Sequence, residues 1–91
     1  MKDIIRLEAS GRYTKFHLAN KEVIVASRTL GDFEKTLVAN DFFRIHESHI
    51  VNLSFIDRFS KGDSYVLLID KTELPLARRR KEEFLKIIPR I

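Results

Sequence analysis

Apolar and polar residues alternate over much of the chain. Ile4, Ile5 and Leu7, then Tyr13 to Leu18, then Val23 to Ala26 are short runs rich in β-branched and aromatic residues, the composition of strands. Ser10-Gly11-Arg12 and Ala19-Asn20-Lys21 separate them, and connections this short suit antiparallel hairpins, so the chain is expected to open as a meander. The period then changes. Leu30, Phe33 and Leu37 recur at i, i+3 and i+7, with Thr29 placed to cap and Asp32 three residues beyond it. This spacing predicts an amphipathic helix with Glu34 and Lys35 turned to water, ended by Asn40-Asp41. From Phe42 to about Glu47 the alternation returns, Phe43 and Ile45 against Arg44 and His46, which predicts a strand whose two sets of side chains face opposite ways. After Ile50-Val51-Asn52-Leu53 come two more strands, Phe55 to Phe59 and Ser64 to Ile69, joined by a Lys61-Gly62-Asp63 turn, and a third around Glu73 to Ala77. A helix beginning near Arg78 carries Phe84, Ile87 and Ile88 on one stripe and stops at Pro89.

Length and composition limit what such a chain can be. Its 91 residues suffice for one core, with no repeat and no Pro/Gly-rich linker to divide it. Without cysteine there is neither a disulfide framework nor a thiolate metal site. No apolar run is long enough to span a membrane and no leader pattern heads the chain, so the expectation is a soluble, cytoplasmic module. Charge becomes informative once located. Residues 1 to 70 hold as many Lys/Arg as Asp/Glu, and the whole excess of +4 falls in residues 71 to 91. One basic end suggests an anionic partner, nucleic acid being the commonest for a compact basic module, with a solvated basic helix as the plain alternative.

Two polar clusters could carry chemistry. His46-Glu47-Ser48-His49 superficially suggests a metal site, but its histidines stand three apart where H-E-x-x-H needs four, and on one continuous strand they would face opposite ways. The serines sit at expected turns and the three isolated glycines make no phosphate loop, so neither an enzyme nor a cofactor is expected. In the same stretch Arg44, His46 and Ser48 would line one side of the strand, a row suited to phosphate oxygens. Asn52 can donate and accept, which fits a base edge or a turn cap equally, and His49 reads as a core or boundary histidine. The second cluster is Ala77-Arg78-Arg79-Arg80-Lys81. Cations at a helix start oppose its macrodipole, and the arginines precede Glu82 and Glu83 in the weaker ion-pair orientation, so local stability does not account for this order. Helix amides and arginines together suit phosphate, and arginine can also read guanine; a solvated helix cap remains the alternative.

Four blocks then come into register: Leu7-Glu8-Ala9 with Gly11-Arg12-Tyr13-Thr14-Lys15; Leu30 to Leu37; Phe43 to Leu53; and Leu74-Pro75-Leu76-Ala77-Arg78-Arg79-Arg80. In order and spacing they resemble the LytTR DNA-binding domain of bacterial response regulators, and the R-I-H-x-S-x-I-V-N block is the most specific of them. The resemblance implies a mostly β fold, an elongated arrangement of small antiparallel sheets with one short internal helix and a C-terminal helix. It further implies sequence-specific binding of double-stranded promoter DNA through loops that enter the major grooves. By register it places base contacts at Thr14, Asn52 and Arg79, with Arg78 or Arg80 as neighbours of the base-reading arginine. Phosphate contacts fall to Tyr13, Lys15, Arg44, His46, Ser48, Arg78 and Arg80. It implies a monomer alone, two copies on paired DNA repeats, and a receiver domain N-terminal to this segment in a two-component system.

Two features depart from the family pattern. Ala77 stands where a serine is usual, which removes one hydroxyl from the helix start. Family members also carry a further strand or two before the segment matching Lys2 to Leu7, so the domain at residues 1–91 is expected to lack its first strand or strands. Three other classes stay open: a protein-interaction module, an RNA-binding module using Tyr13, Phe16 or Tyr65, and a metal-dependent enzyme using His46 and His49.

Overall fold

The apolar runs at the start of the chain form the expected meander in the computed structural model, which describes residues 3–37, 41–60 and 62–88. Strands β1 (Ile4–Ser10), β2 (Tyr13–Leu18) and β3 (Val23–Ala26) pair antiparallel in turn. Gly11, at φ +62°, supplies the left-handed residue of the first turn. Helix α1 (Leu30–Leu37) follows; Asp32 returns to accept a long 3.4 Å bond from the Thr29 amide, one arm of the expected capping box. Then come β4 (Phe42–His46) and β5 (His49–Asn52), a single-turn 3-10 helix (Leu53–Phe55), β6 (Ile56–Ser60), β7 (Tyr65–Leu68), β8 (Glu73–Pro75) and α2 (Arg78–Ile87). The expected roles of Asn40, Lys61 and Pro89 lie outside the described residues.

Two antiparallel sheets result, a five-stranded one in the order β3-β2-β1-β5-β4 and a three-stranded one in the order β6-β7-β8. Strand alternation divides the core in two, with a register shift between Ile4 and Arg6 that turns Ile5 and Leu7 to opposite faces. Leu7, Phe42 and Ile50 project to one face of the larger sheet and bury Leu30 and Leu37 of α1, with Phe16 and Phe33 edge to face at 5.0 Å. Ile5, Phe43, Ile45 and Val51 project to the other face and meet Val66, Leu68 and Leu74 of the smaller sheet together with Phe84 and Ile88 of α2. Phe84 is fully buried between Phe43 and Phe59. The larger sheet is therefore a middle layer with α1 on one side and the smaller sheet and α2 on the other, in a body of 34 × 26 × 23 Å.

One stretch departs from its sequence reading. Residues 42–52 are two strands, with Glu47-Ser48 as the turn between them, and His46 is the cross-strand neighbour of His49. The two histidines therefore share a face, because ladder partners do, and their rings lie 5.5 Å apart. The ladder also shifts register between Arg44 and His46. That bulge, with Ser48 in the turn, breaks the expected row of Arg44, His46 and Ser48.

Candidate nucleic-acid interface

The strand register collects the polar residues along one end of the larger sheet. His46, His49, Glu8, Lys15 and Val25 are successive cross-strand neighbours from β4 to β3. Beyond that row lie the two turns, Gly11-Arg12 and Glu47-Ser48, tied together by the Ala9 amide bonding the Ser48 carbonyl at 2.9 Å. The start of α2 docks beside them, since the Ala77 amide donates to Ile45 O at 2.8 Å. Arg12, Tyr13, Ser48, Arg78 and Arg79 thus share one rim, where Arg12, Arg78 and Arg79 are exposed and Tyr13 is 51% exposed.

Helix α2 begins without help. Ala77 occupies the cap position with extended φ and ψ, makes no side-chain cap bond, and no acid stands in the first turn. Its leading amides and positive dipole end are left for an anion from outside, with two exposed arginines around them.

Four of the expected contact residues are held by bonds within the protein, two of them buried. Thr14 is fully buried and donates its hydroxyl hydrogen to Arg28 O at 2.8 Å. Asn52, 5% exposed, donates from Nδ2 to Ile4 O at 2.9 Å and accepts from the Ser54 amide at 3.0 Å, capping the 3-10 turn. Thr14 shares strand parity with Phe16, and Asn52 with Ile50, so each points inward in the free protein. Arg44 donates to Glu34 Oε1 at 2.9 Å, to Glu47 O at 2.6 Å and to His46 O at 3.3 Å. Arg80 reaches Arg44 O at 3.3 Å and lies 3.6 Å from Glu34 Oε2. Both arginines are engaged with internal acceptors in the free protein. His46 Nδ1 accepts from the Ser48 amide at 3.1 Å, which fixes the turn and leaves Nε2 as the ring's outer nitrogen.

The histidine row has its own electrostatics. His17 Nε2 lies 2.9 Å from Glu8 Oε1 and Arg6 lies 3.7 Å from the same oxygen. Since a carboxylate only accepts, His17 carries its proton on Nε2. That hydrogen bond, helped by Arg6 and working against partial burial, holds the Glu8 carboxyl below its usual range. Burial, then the Arg6 guanidinium, holds His49 below the ordinary histidine value, so it is neutral near pH 7; its Nδ1 is buried with no partner among the described residues. Among the described residues no group of three or more His, Asp or Glu side chains is arranged to hold a metal ion. No described helix is long and apolar enough to cross a membrane.

Arg12, at the tip of the first hairpin, was not among the expected contact residues. A cation directly after a turn glycine, between two apolar runs, was the available signal. Glu34 was expected only to face water, and its two arginine partners come from sequence positions too distant to pair by spacing.

Known proteins share this sequence pattern and this fold. The chain matches the LytTr DNA-binding domain family over residues 1–88. It is 29% identical over 92 residues to the heme-containing CO-sensing transcriptional regulator RcoM 2 of Paraburkholderia xenovorans, covering 97% of this chain and 34% of that protein. It is 39% identical over 59 residues to the transcriptional regulatory protein NatR of Bacillus subtilis, covering 65% of this chain and 25% of that one. The chain thus spans about a third or less of these relatives' length. In fold it superposes on a LytTr DNA-binding domain from Bacillus cereus with a TM-score of 0.84 at 22% identity, covering 98% of this chain and 84% of the other. On the sequence match over nearly its whole length, the chain belongs to the LytTR family of DNA-binding domains.

Proposed function

We propose that this chain is the DNA-reading unit of a bacterial transcription regulator that works in the cytoplasm, and that it grips the duplex with the rim formed by its two hairpin turns and the start of α2. The observation that carries this is the uncapped N-terminus of α2, with Arg78 and Arg79 exposed on it, set beside two turns that present Arg12, Tyr13 and Ser48. Arg79 is the base reader, placed in a major groove, with Arg78 as its neighbour. Arg12, Tyr13, Lys15, His46 and Ser48 take phosphates, and the leading amides of α2 take one more. Thr14, Asn52, Arg44 and Arg80 shape this surface from within. Two copies act on paired repeats, and the rest of the natural protein supplies the signal through a receiver or another sensory domain.

Selection of binding sites from random duplexes, followed by anisotropy titrations at two salt concentrations, tests the reading. Recovery of a repeated short motif, bound more weakly as salt rises, is the expected result; no binding to any duplex at low salt would sink it. Arg79→Ala is expected to weaken the selected site by about 1–3 kcal/mol more than a scrambled duplex, whereas Lys15→Ala weakens both alike. One observation favours a second reading as a protein-interaction module. Edge strand β3 leaves Val23, Ile24 and Val25 about half exposed, an apolar edge open to another strand. That reading gains if the titration shows no duplex binding.

A further inference from the structure

Strand β4 is the edge of the larger sheet, with α1 packed on one face and α2 on the other. Glu34 on α1 reaches over that edge. Its Oε1 accepts from Arg44 at 2.9 Å and its Oε2 lies 3.6 Å from Arg80 on α2. Each arginine then fixes a different part of the rim. Arg44 holds the carbonyls of His46 and Glu47, and so the β4–β5 turn. Arg80 holds the Arg44 carbonyl, and so the first turn of α2, where Arg78 and Arg79 emerge. One carboxylate therefore ties two separate pieces of the surface to each other.

The cluster has little to replace it. The side chains of Arg44 and Arg80 are only 17% and 21% exposed, and Arg80 Nε is buried without a partner among the described residues. Without the carboxylate between them, two guanidiniums would be left close together and partly desolvated. They would separate, and the helix start would move with Arg80 while the turn moved with Arg44.

Resting on the DNA-binding reading above, we infer that Glu34 is a positioning residue for the DNA-reading rim: an acid that touches no DNA yet sets Arg79 against the turns for specific recognition. Its signature is one of sign. Removing a negative charge from a DNA-binding protein should strengthen binding to any duplex through the long-range field. Removing Glu34 should instead weaken binding to the right duplex.

The test compares Glu34→Gln with Glu83→Gln, which removes the same charge from an exposed position lining the same cleft as Glu34, Arg44 and Arg80. Titrations use the duplex recovered by selection and a scrambled duplex of equal composition, well below the measured Tm of every variant. Glu34→Gln is expected to lose about tenfold for the selected duplex and none for the scrambled one, from the loss of charge-assisted bonds that hold the reader. Glu83→Gln should strengthen both slightly. Arg80→Lys keeps the net charge but replaces the Nη1 that contacts both Glu34 Oε2 and Arg44 O with a shorter ammonium, and should lower the selected-to-scrambled ratio in the same direction. If Glu34→Gln and Arg80→Lys leave that ratio unchanged while the wild type binds its selected duplex, the inference is overturned and the DNA reading stands. If the wild type binds no duplex, both fall.

Discussion

Thr14 and Asn52 use their polar groups to hold the protein together. Thr14 ties β2 to the chain after β3 through Arg28 O, and Asn52 joins β5 to the first strand through Ile4 O while capping the turn that follows. Thr14→Val keeps the shape and leaves one carbonyl unpaired, so it should cost about 1–2 kcal/mol in urea unfolding; Asn52→Ala removes two bonds and some packing and should cost about 2–3 kcal/mol. Neither should change which base pairs are preferred in a site selection carried out below the unfolding transition. A change of preferred motif in Thr14→Val would mean that the hydroxyl turns outward on DNA. Both inward positions were legible in the sequence through strand parity with Phe16 and Ile50. The base contacts come from the family resemblance, whereas the residue type of Asn52 suggests a turn cap equally, and a turn cap is what it forms. The Arg44 and Arg80 contacts were not legible, because their partner is a glutamate on a helix whose local pattern says only that it faces water.

At the scale of elements, the alternating runs were read correctly wherever the turn between them carried a marked residue, as Gly11 does. Glu47-Ser48 carries no such mark: neither residue adopts a positive φ, so the turn needs no glycine or asparagine and continues the polar pattern of a strand. The start of α2 was legible from its arginines, and its missing cap follows from Ala77. That cap offers a separation of stability from binding. Ala77→Ser and Ala77→Asp should each stabilise the domain by about 1 kcal/mol by accepting a free amide of the first turn. The aspartate adds favourable charge for the helix dipole but places an anion where phosphate is expected. Thermal melts should therefore rise for both variants, while DNA affinity falls only for Ala77→Asp. Equal affinity for the two would remove the phosphate from the N-terminus of α2.

For the whole molecule, what matters is which cations are free. The chain has 17 Lys and Arg residues and a net charge of +4, but the fold divides its cations by use. Arg44 and Arg80 neutralise Glu34, and Arg6 lies against Glu8. On the proposed reading, the rim meets phosphates with Arg12, Lys15 and Arg78 and a base with Arg79. Each neutralised phosphate releases condensed counterions, so three cationic phosphate contacts predict a slope of roughly −3 in log affinity against log salt for one copy on a half-site. Arg12→Ala should make the slope shallower by about one, and Glu83→Gln should leave it unchanged. A slope nearer −5 would mean that Arg44 and Arg80 leave Glu34 for phosphate when DNA arrives. The carboxylate would then act as a latch released on binding, and Glu34→Gln would steepen binding to every duplex in place of loosening its grip on one.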